Sequence, residues 1–93
     1  MPRYLAECYI PRSQARKAHA AARDARTAAE ELTREGTPVR YVRTTLLPDD
    51  ETCFHIFEAT TEEAVGETCR RAGIATGRIV PAIEVGRDQP PSP

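Results

Sequence analysis

The hydrophobic residues of this chain follow two spacings, one with a period of two and one with a period of three to four. Alternation of branched and aromatic side chains with polar ones predicts four strands, at residues 3–10, 38–47, 52–59 and 78–85. Apolar residues three and four apart predict two helices, at 13–34 and 60–73. The predicted order is strand, helix, strand, strand, helix, strand.

Local signals support these bounds. Ser13 is a suitable helix N-cap, and Thr60 with Glu63 fits a capping box. Gly36 and Gly73 suit the left-handed residue that ends a helix. The sequence PDDE between the second and third strands has turn-forming residues, which predicts a hairpin.

Right-handed crossovers between these elements predict an α+β fold of the ferredoxin-like βαββαβ plan, of the dimeric α+β barrel type. Its four-stranded antiparallel sheet has strands one and three in the centre and both helices on one face. Pro81 is compatible with strand four because that strand lies at an edge. We predict a single domain at residues 1–86 and a disordered, proline-rich tail at 87–93.

Alternation also places the side chains of each strand on two faces of the sheet. On strands one, three and four the charges fall in one set, so the charge-free set, with Cys53 and His55, is predicted to face the helices. The open face carries Glu7 and Glu58. It also carries five apolar residues, Leu5, Tyr9, Phe54, Ile56 and Val80. Apolar area on an open face needs a cover, so we predict a homodimer packed sheet to sheet.

Composition narrows the classes of partner. The chain has 93 residues, a net charge of −1 and 29% charged residues, which provides no field to attract nucleic acid or an anionic membrane. No apolar run approaches the roughly 20 residues that span a bilayer. Three cysteines, with no CxxC pair and no signal peptide, indicate reduced thiols in a cytoplasmic protein.

Two acidic residues form the first candidate site. Glu7 and Glu58 lie on neighbouring central strands and share the open face. With Tyr9 and Phe54 as walls, they could bind a divalent cation or a small molecule, or share a proton, in a cleft between subunits. The alternative is that each carboxylate pairs with an arginine at the interface. The arginines available for this are Arg3, Arg40 and Arg78.

Soft metal ligands form the second candidate. Cys53 and His55 lie two residues apart on one strand, and Cys8 belongs to the same face of the neighbouring strand. Two or three such ligands could bind nickel, zinc or copper. The alternative is that they are ordinary core residues, since free cysteine is among the most buried residue types.

A pocket between the sheet and the helices is the third candidate. The inward stripe of helix one is almost entirely alanine, which leaves room there. His55, Tyr41 and Arg43 could supply polar groups for acid–base chemistry on an aromatic or polyketide-like substrate, with Tyr41 and Arg43 on one face of strand two. The alternative is that Phe57, Tyr4 and Tyr41 fill the space.

Short motifs over about residues 2–85 resemble a family of small actinobacterial proteins that form a domain of unknown function. The motifs are MPRYLAE at the N-terminus, Tyr41–Val42, FEA at 57–59, and RRAGI followed by RI within 70–79. The resemblance implies a dimeric ferredoxin-like fold, and one branch of that family is a nickel-binding protein. Glu7 and Glu58 match acidic positions of the family pattern.

The chain departs from that family in its histidines. Members often carry histidines in the loop after strand one and on strand two, where this chain has PRSQ and Arg43. His55 has no clear counterpart in the pattern. The same dimeric fold is similar to that of cofactor-free monooxygenases and polyketide cyclases, an analogy of fold alone.

These observations rank three functions. The first is a non-enzymatic dimeric protein that binds a divalent metal, such as nickel, or a small molecule at the subunit cleft. The second is a cofactor-free enzyme in which His55 is the acid–base group and Tyr41 and Arg43 orient the substrate. The third is a structural dimer without a ligand.

Overall fold

The computed structural model describes residues 1–86, which form an antiparallel sheet with two helices. The elements are β1 Arg3–Tyr9, α1 Lys17–Arg34, β2 Val39–Leu47, β3 Thr52–Ala59, α2 Glu62–Arg71 and β4 Thr76–Ala82. The strand order is β2-β3-β1-β4, so β1 and β3 are central. This arrangement confirms the predicted ferredoxin-like fold. The predicted tail at 87–93 lies outside the described residues.

Both helices end at the predicted glycines. Gly36 has φ of +101° and Gly73 has φ of +72°, a region that glycine enters without a Cβ penalty. The amide of Thr37 donates to the carbonyl of Leu32, and that of Ile74 to Cys69, each at 2.9 Å. These are the bonds of the Schellman motif, which satisfies carbonyls that the helix itself leaves unpaired.

The starts of both helices differ from prediction. Ser13 lies in a short 3₁₀ turn, Arg12–Gln14, and α1 begins at Lys17 without a side-chain cap. In α2 the cap is Thr61, whose Oγ1 accepts from the Ala64 amide at 3.2 Å. The predicted capping box at Thr60 was therefore wrong by one residue. Two adjacent threonines offer the same hydroxyl, and Thr61 is the one that caps the helix from an extended backbone conformation.

The face of the sheet that packs against the helices holds the core. Along β3 the buried and half-buried residues alternate without a break, as the period-two pattern predicted. Ala25 and Ala29 bring the backbone of α1 close to the sheet, and Phe57 and Val65 supply the bulk there. Neither helix in the described part is both long and apolar enough to cross a membrane.

A β-bulge interrupts the alternation of β2. Tyr41 pairs with Phe57 and Arg43 with Ile56, so Val42 is an extra residue without a partner in the ladder. Tyr41 therefore faces the helices, whereas Arg43 lies on the open face. The prediction that these two side chains share a face was wrong, because strict alternation would have buried the charged guanidinium of Arg43 at a cost of several kcal/mol.

The open face of the sheet continues into the segment after β4. This strand ends at Ala82 rather than at residue 85, and the side chains of Ile83 and Val85 are each 88% exposed. Glu84, between them, forms ion pairs with Arg3 and Arg43, both of which lie on the open face. The chain therefore leaves β4 with one carboxylate anchored and two large apolar side chains in solvent.

Candidate metal centre

Two thiols and one imidazole meet beneath the helices. Cys8 of β1 and Cys53 of β3 are direct partners in the strand register, and His55 lies two residues further along β3. One ligand atom from each of the three residues lies within 4.8 Å of the others. Cys8 is 6% exposed, and Cys53 and His55 are fully buried. We call these three residues the thiol–imidazole cluster.

A chain of hydrogen bonds orients the imidazole. His55 Nδ1 lies 2.7 Å from Thr44 Oγ1, and this hydroxyl lies 2.6 Å from the hydroxyl of Tyr41. On the other side of the ring, Nε2 lies 3.8 Å from Cys53 Sγ. If Nδ1 carries the proton and donates it to Thr44, the lone pair of Nε2 points toward the sulfur atoms.

The two thiols affect each other's acidity. Hydrogen bonding with Cys53 lowers the pKa of Cys8, and His55 lowers it further, while burial acts in the opposite direction. The same hydrogen bond raises the pKa of Cys53, and burial adds to that effect. The pair therefore gives up its first proton more readily than its second. The Cys8 thiol also lies 3.4 Å from the Cys53 carbonyl, as a donor to that oxygen.

The donor set of the cluster is chemically suited to a transition metal. Thiolates bind soft and borderline ions, and imidazole binds zinc, copper, iron and nickel. A metal-binding histidine usually donates its other ring N–H to a neighbouring oxygen, which is the role that Thr44 can fill for His55. Cys8, Cys53 and His55 would therefore hold the ion, and Thr44 would hold the imidazole.

The structure does not bring the two predicted acidic residues together within one chain. Arg3 is the strand partner of Glu58, and Phe54 is the partner of Glu7, so the two carboxylates are offset by four residue positions along β1. At about 3.3 Å per residue this is about 13 Å, too far for two carboxylates of one chain to share an ion. Tyr9, 67% exposed, and Phe54, half-buried, both lie at the Glu7 end.

Both carboxylates already have arginine partners. Glu58 accepts from Arg40 Nε at 2.8 Å and from Arg3 Nε at 3.0 Å. Glu7 lies 3.3 Å from Arg78. The predicted alternative to a cation site named these three arginines, and the pairs form within the chain rather than requiring a second subunit.

Acid should weaken the fold through Glu58. Its hydrogen bond with Arg40, and then that with Arg3, lowers the pKa of this carboxyl from 4.5 to about 2. A lowered pKa in the folded state stabilises the protein at pH values above 4.5, and this stabilisation is lost as the pH falls toward about 2. We expect Glu58→Gln to flatten this part of the pH profile of the unfolding free energy, measured by urea denaturation.

The control for this measurement is Asp50→Asn. Asp50 is exposed in the β2–β3 turn and forms no ion pair within residues 1–86. Its variant should keep the acid-dependent loss of the wild type. A Glu58→Gln profile that still falls as steeply as the wild type between about pH 5 and pH 2 would contradict the assignment.

The three residues of the predicted enzyme site are not brought together as a group. His55 and Tyr41 face the helices and are linked through Thr44, but Arg43 lies on the opposite face of the sheet. A pocket does open between α1 and β2, and Tyr41 lines it, but His55 does not. Sequence reasoning also missed Thr44, because only the bulge at Val42 places its hydroxyl beside His55.

Comparison with known proteins places this chain in a family. A model of the family described as nickel responsive protein SCO4226-like matches residues 4–82, which is most of the chain. The chain belongs to the SCO4226-like family of nickel-responsive proteins. This finding confirms the resemblance that the short sequence motifs indicated. No curated protein matches the chain.

The crystal structure of SCO4226 from Streptomyces coelicolor A3(2) has a similar fold. It superposes with a TM-score of 0.56 at 20% sequence identity, over 94% of this chain and 99% of that chain. At this identity the match supports the ferredoxin-like architecture alone. For this SCO4226-like chain, the thiol–imidazole cluster is the only group of three or more histidine, cysteine or acidic side chains within residues 1–86 with converging ligand atoms.

Proposed function

We propose that this protein binds a divalent metal ion, with nickel as the first ion to test, through Cys8, Cys53 and His55. The observation that carries the proposal is the convergence of two thiols and an imidazole within 4.8 Å in a member of a nickel-responsive family. The proposed activity is binding rather than catalysis, because His55 is fully buried and does not line the pocket between α1 and β2.

A metal at the carboxylates of the subunit cleft is the second candidate site. Glu7 and Glu58 could contribute there only with help from another subunit, since about 13 Å separates them in one chain. Arginines also neutralise both groups. We therefore rank the thiol–imidazole cluster first.

Titration of nickel(II) and zinc(II) into the reduced protein, by calorimetry, tests the proposal. We expect a single equivalent of nickel to bind and to produce a sulfur-to-metal charge-transfer band, which carboxylate ligands alone do not give. Cys69→Ser is the matched control, because Cys69 is buried but is not among the residues with converging ligand atoms. Binding without this band would favour the carboxylates. The absence of both heat and any change in the absorption spectrum would exclude binding of these two ions.

We also propose that the protein is a homodimer packed through its open face. Support comes from the apolar side chains of that face, of which Tyr9 is 67% exposed. Leu5 and Ile56 lie directly opposite each other at its centre. A stable interface of standard size buries about 800 Å² from each partner.

Sedimentation equilibrium tests the dimer. Wild type is expected at twice the chain mass of 10.3 kDa, and Ile56→Lys, which places a charge at the centre of the face, is expected at the chain mass. Thr27→Lys is the control, since Thr27 is exposed on α1 and lies outside the face. A wild type that sediments as a single chain at high concentration would refute the dimer.

The three free cysteines also favour a reducing compartment, and we propose that the protein is cytoplasmic. Fractionation of the source cells checks this location. Recovery of the protein with extracytoplasmic material would contradict it.

A further inference from the structure

A pocket of about 650 Å³ lies between α1 and the edge strand β2, and none of the residues of the thiol–imidazole cluster lines it. Ala29, Val39 and the ring of Tyr41 provide an apolar lining. Arg26, Glu30 and Arg34 line it from α1. This volume falls within the range of about 300–1,000 Å³ that is typical of small-molecule sites.

The lining of this pocket is positively charged. It contains three guanidinium groups, from Arg26, Arg34 and Arg40, and one carboxylate, from Glu30. Arg40 already donates to Glu58. Within residues 1–86, Arg26 and Arg34 form no ion pair, so their charge is available to a ligand.

Tyr41 gives the pocket a flat wall. Its hydroxyl is held by Thr44 at 2.6 Å, which fixes the ring. The guanidinium carbon of Arg26 lies 5.1 Å from the centre of that ring, in a cation–π contact. An aromatic surface therefore lies directly beside an available positive charge.

We propose that this pocket binds a small organic anion with a flat apolar body, such as an aromatic carboxylate. The carboxylate would pair with Arg26 and Arg34, since guanidinium groups form strong, charge-assisted hydrogen bonds with carboxylates. The flat body would lie against Ala29, Val39 and the side chain of Tyr41, beside the guanidinium of Arg26. This site is separate from the proposed metal site and does not require a metal, so each proposal can fail without the other.

The test compares three probes that share an indole ring and differ in charge. Indole-3-acetate is an anion, indole-3-acetamide is neutral and tryptamine is a cation. Each is titrated into the metal-free, reduced protein and followed by ¹H–¹⁵N correlation spectra. We expect indole-3-acetate to shift amides around residues 26–41 in a saturable way, with a Kd at least about tenfold lower than those of the other two probes.

Variants assign the charge dependence to named residues. Arg34→Gln, which removes no side-chain hydrogen bond or ion pair within residues 1–86, should raise the Kd for indole-3-acetate about three- to tenfold, and Arg26→Gln should do the same. Glu30→Gln should lower it about two- to fivefold, because it removes the opposing charge. Arg23→Gln, on the exposed surface of the same helix and outside the pocket, should leave it unchanged.

Several results would overturn the proposal. Equal affinity for the three probes would show that charge does not select the ligand. Shifts scattered over the molecule, or confined to the open face of the sheet, would place binding elsewhere. An unchanged Kd in Arg34→Gln, with the dispersed spectrum of a folded protein, would exclude the guanidinium groups as the recognition element.

Discussion

Phe57→Ala is expected to lower the free energy of unfolding by about 3–5 kcal/mol, the usual cost of truncating a fully buried phenylalanine. Phe57 is completely inaccessible to solvent on a central strand. Its ring contacts that of Tyr41 edge to face, with centroids 5.9 Å apart. The helix above it presents alanines, whose side chains are too short to fill the space left behind. Urea denaturation followed by circular dichroism measures the change.

This loss would consume much of the stability of a small domain, which is typically about 5–15 kcal/mol. Phe57→Leu is the control, because leucine keeps most of the buried volume and should cost about a third as much. If both variants lost less than about 1 kcal/mol, the alanine-rich helix would have to move inward and close the gap. That result would show that the position of α1 on the sheet is not fixed by the bulk of Phe57.

His55→Gln is expected to weaken nickel binding by at least about 100-fold, or about 2.7 kcal/mol. The substitution removes one of three converging ligands. Glutamine can still form a hydrogen bond with Thr44, so the variant should stay folded. The loss should exceed the about 10- to 100-fold that is typical when only a residue supporting a ligand is changed. Competition with a chromophoric chelator measures the affinity.

His19→Gln is the matched control for this experiment. The chain has two histidines, and His19 is exposed on α1. Surface imidazoles bind nickel weakly without any built site, and this control detects such binding. If His19→Gln abolished binding and His55→Gln did not, the thiol–imidazole cluster would not be the metal site.

Much of the fold could be predicted because the physical signals are local and repeated. The alternation in β3 is uninterrupted, and the glycines that end both helices adopt the left-handed conformation that their type favours. The side-chain pattern of β2 differed from the prediction because of the bulge at Val42. This single extra residue places every later residue of the strand on the side opposite to that given by strict alternation. The sequence did indicate a bulge, because strict alternation from Val39 would have placed the charged side chain of Arg43 on the buried face.

Only part of the candidate site could be predicted from the sequence, because the rest depends on how the strands pair. Cys53 and His55 are two residues apart, which places them on one face of β3. The charged residues on the opposite face indicated that the face with Cys53 and His55 is the buried one. The contact with Cys8 depends on the register between β1 and β3, as does the separation of Glu7 from Glu58. Register is a property of pairing between strands, and the alternating pattern excludes a slip of one residue but not a slip of two, which keeps every side chain on its face.

The bulge at Val42, rather than the residue itself, keeps the second half of β2 on the correct side. A regular strand of the same length, with Val42 taken into the ladder, would turn the hydroxyl of Thr44 away from His55 and force Arg43 inward. Deleting Val42 would instead make Tyr41 and Arg43 neighbours in regular alternation, and Thr44 would stay opposite His55. A redesign of this strand can therefore omit Val42, but it cannot straighten the bulge and keep the residue.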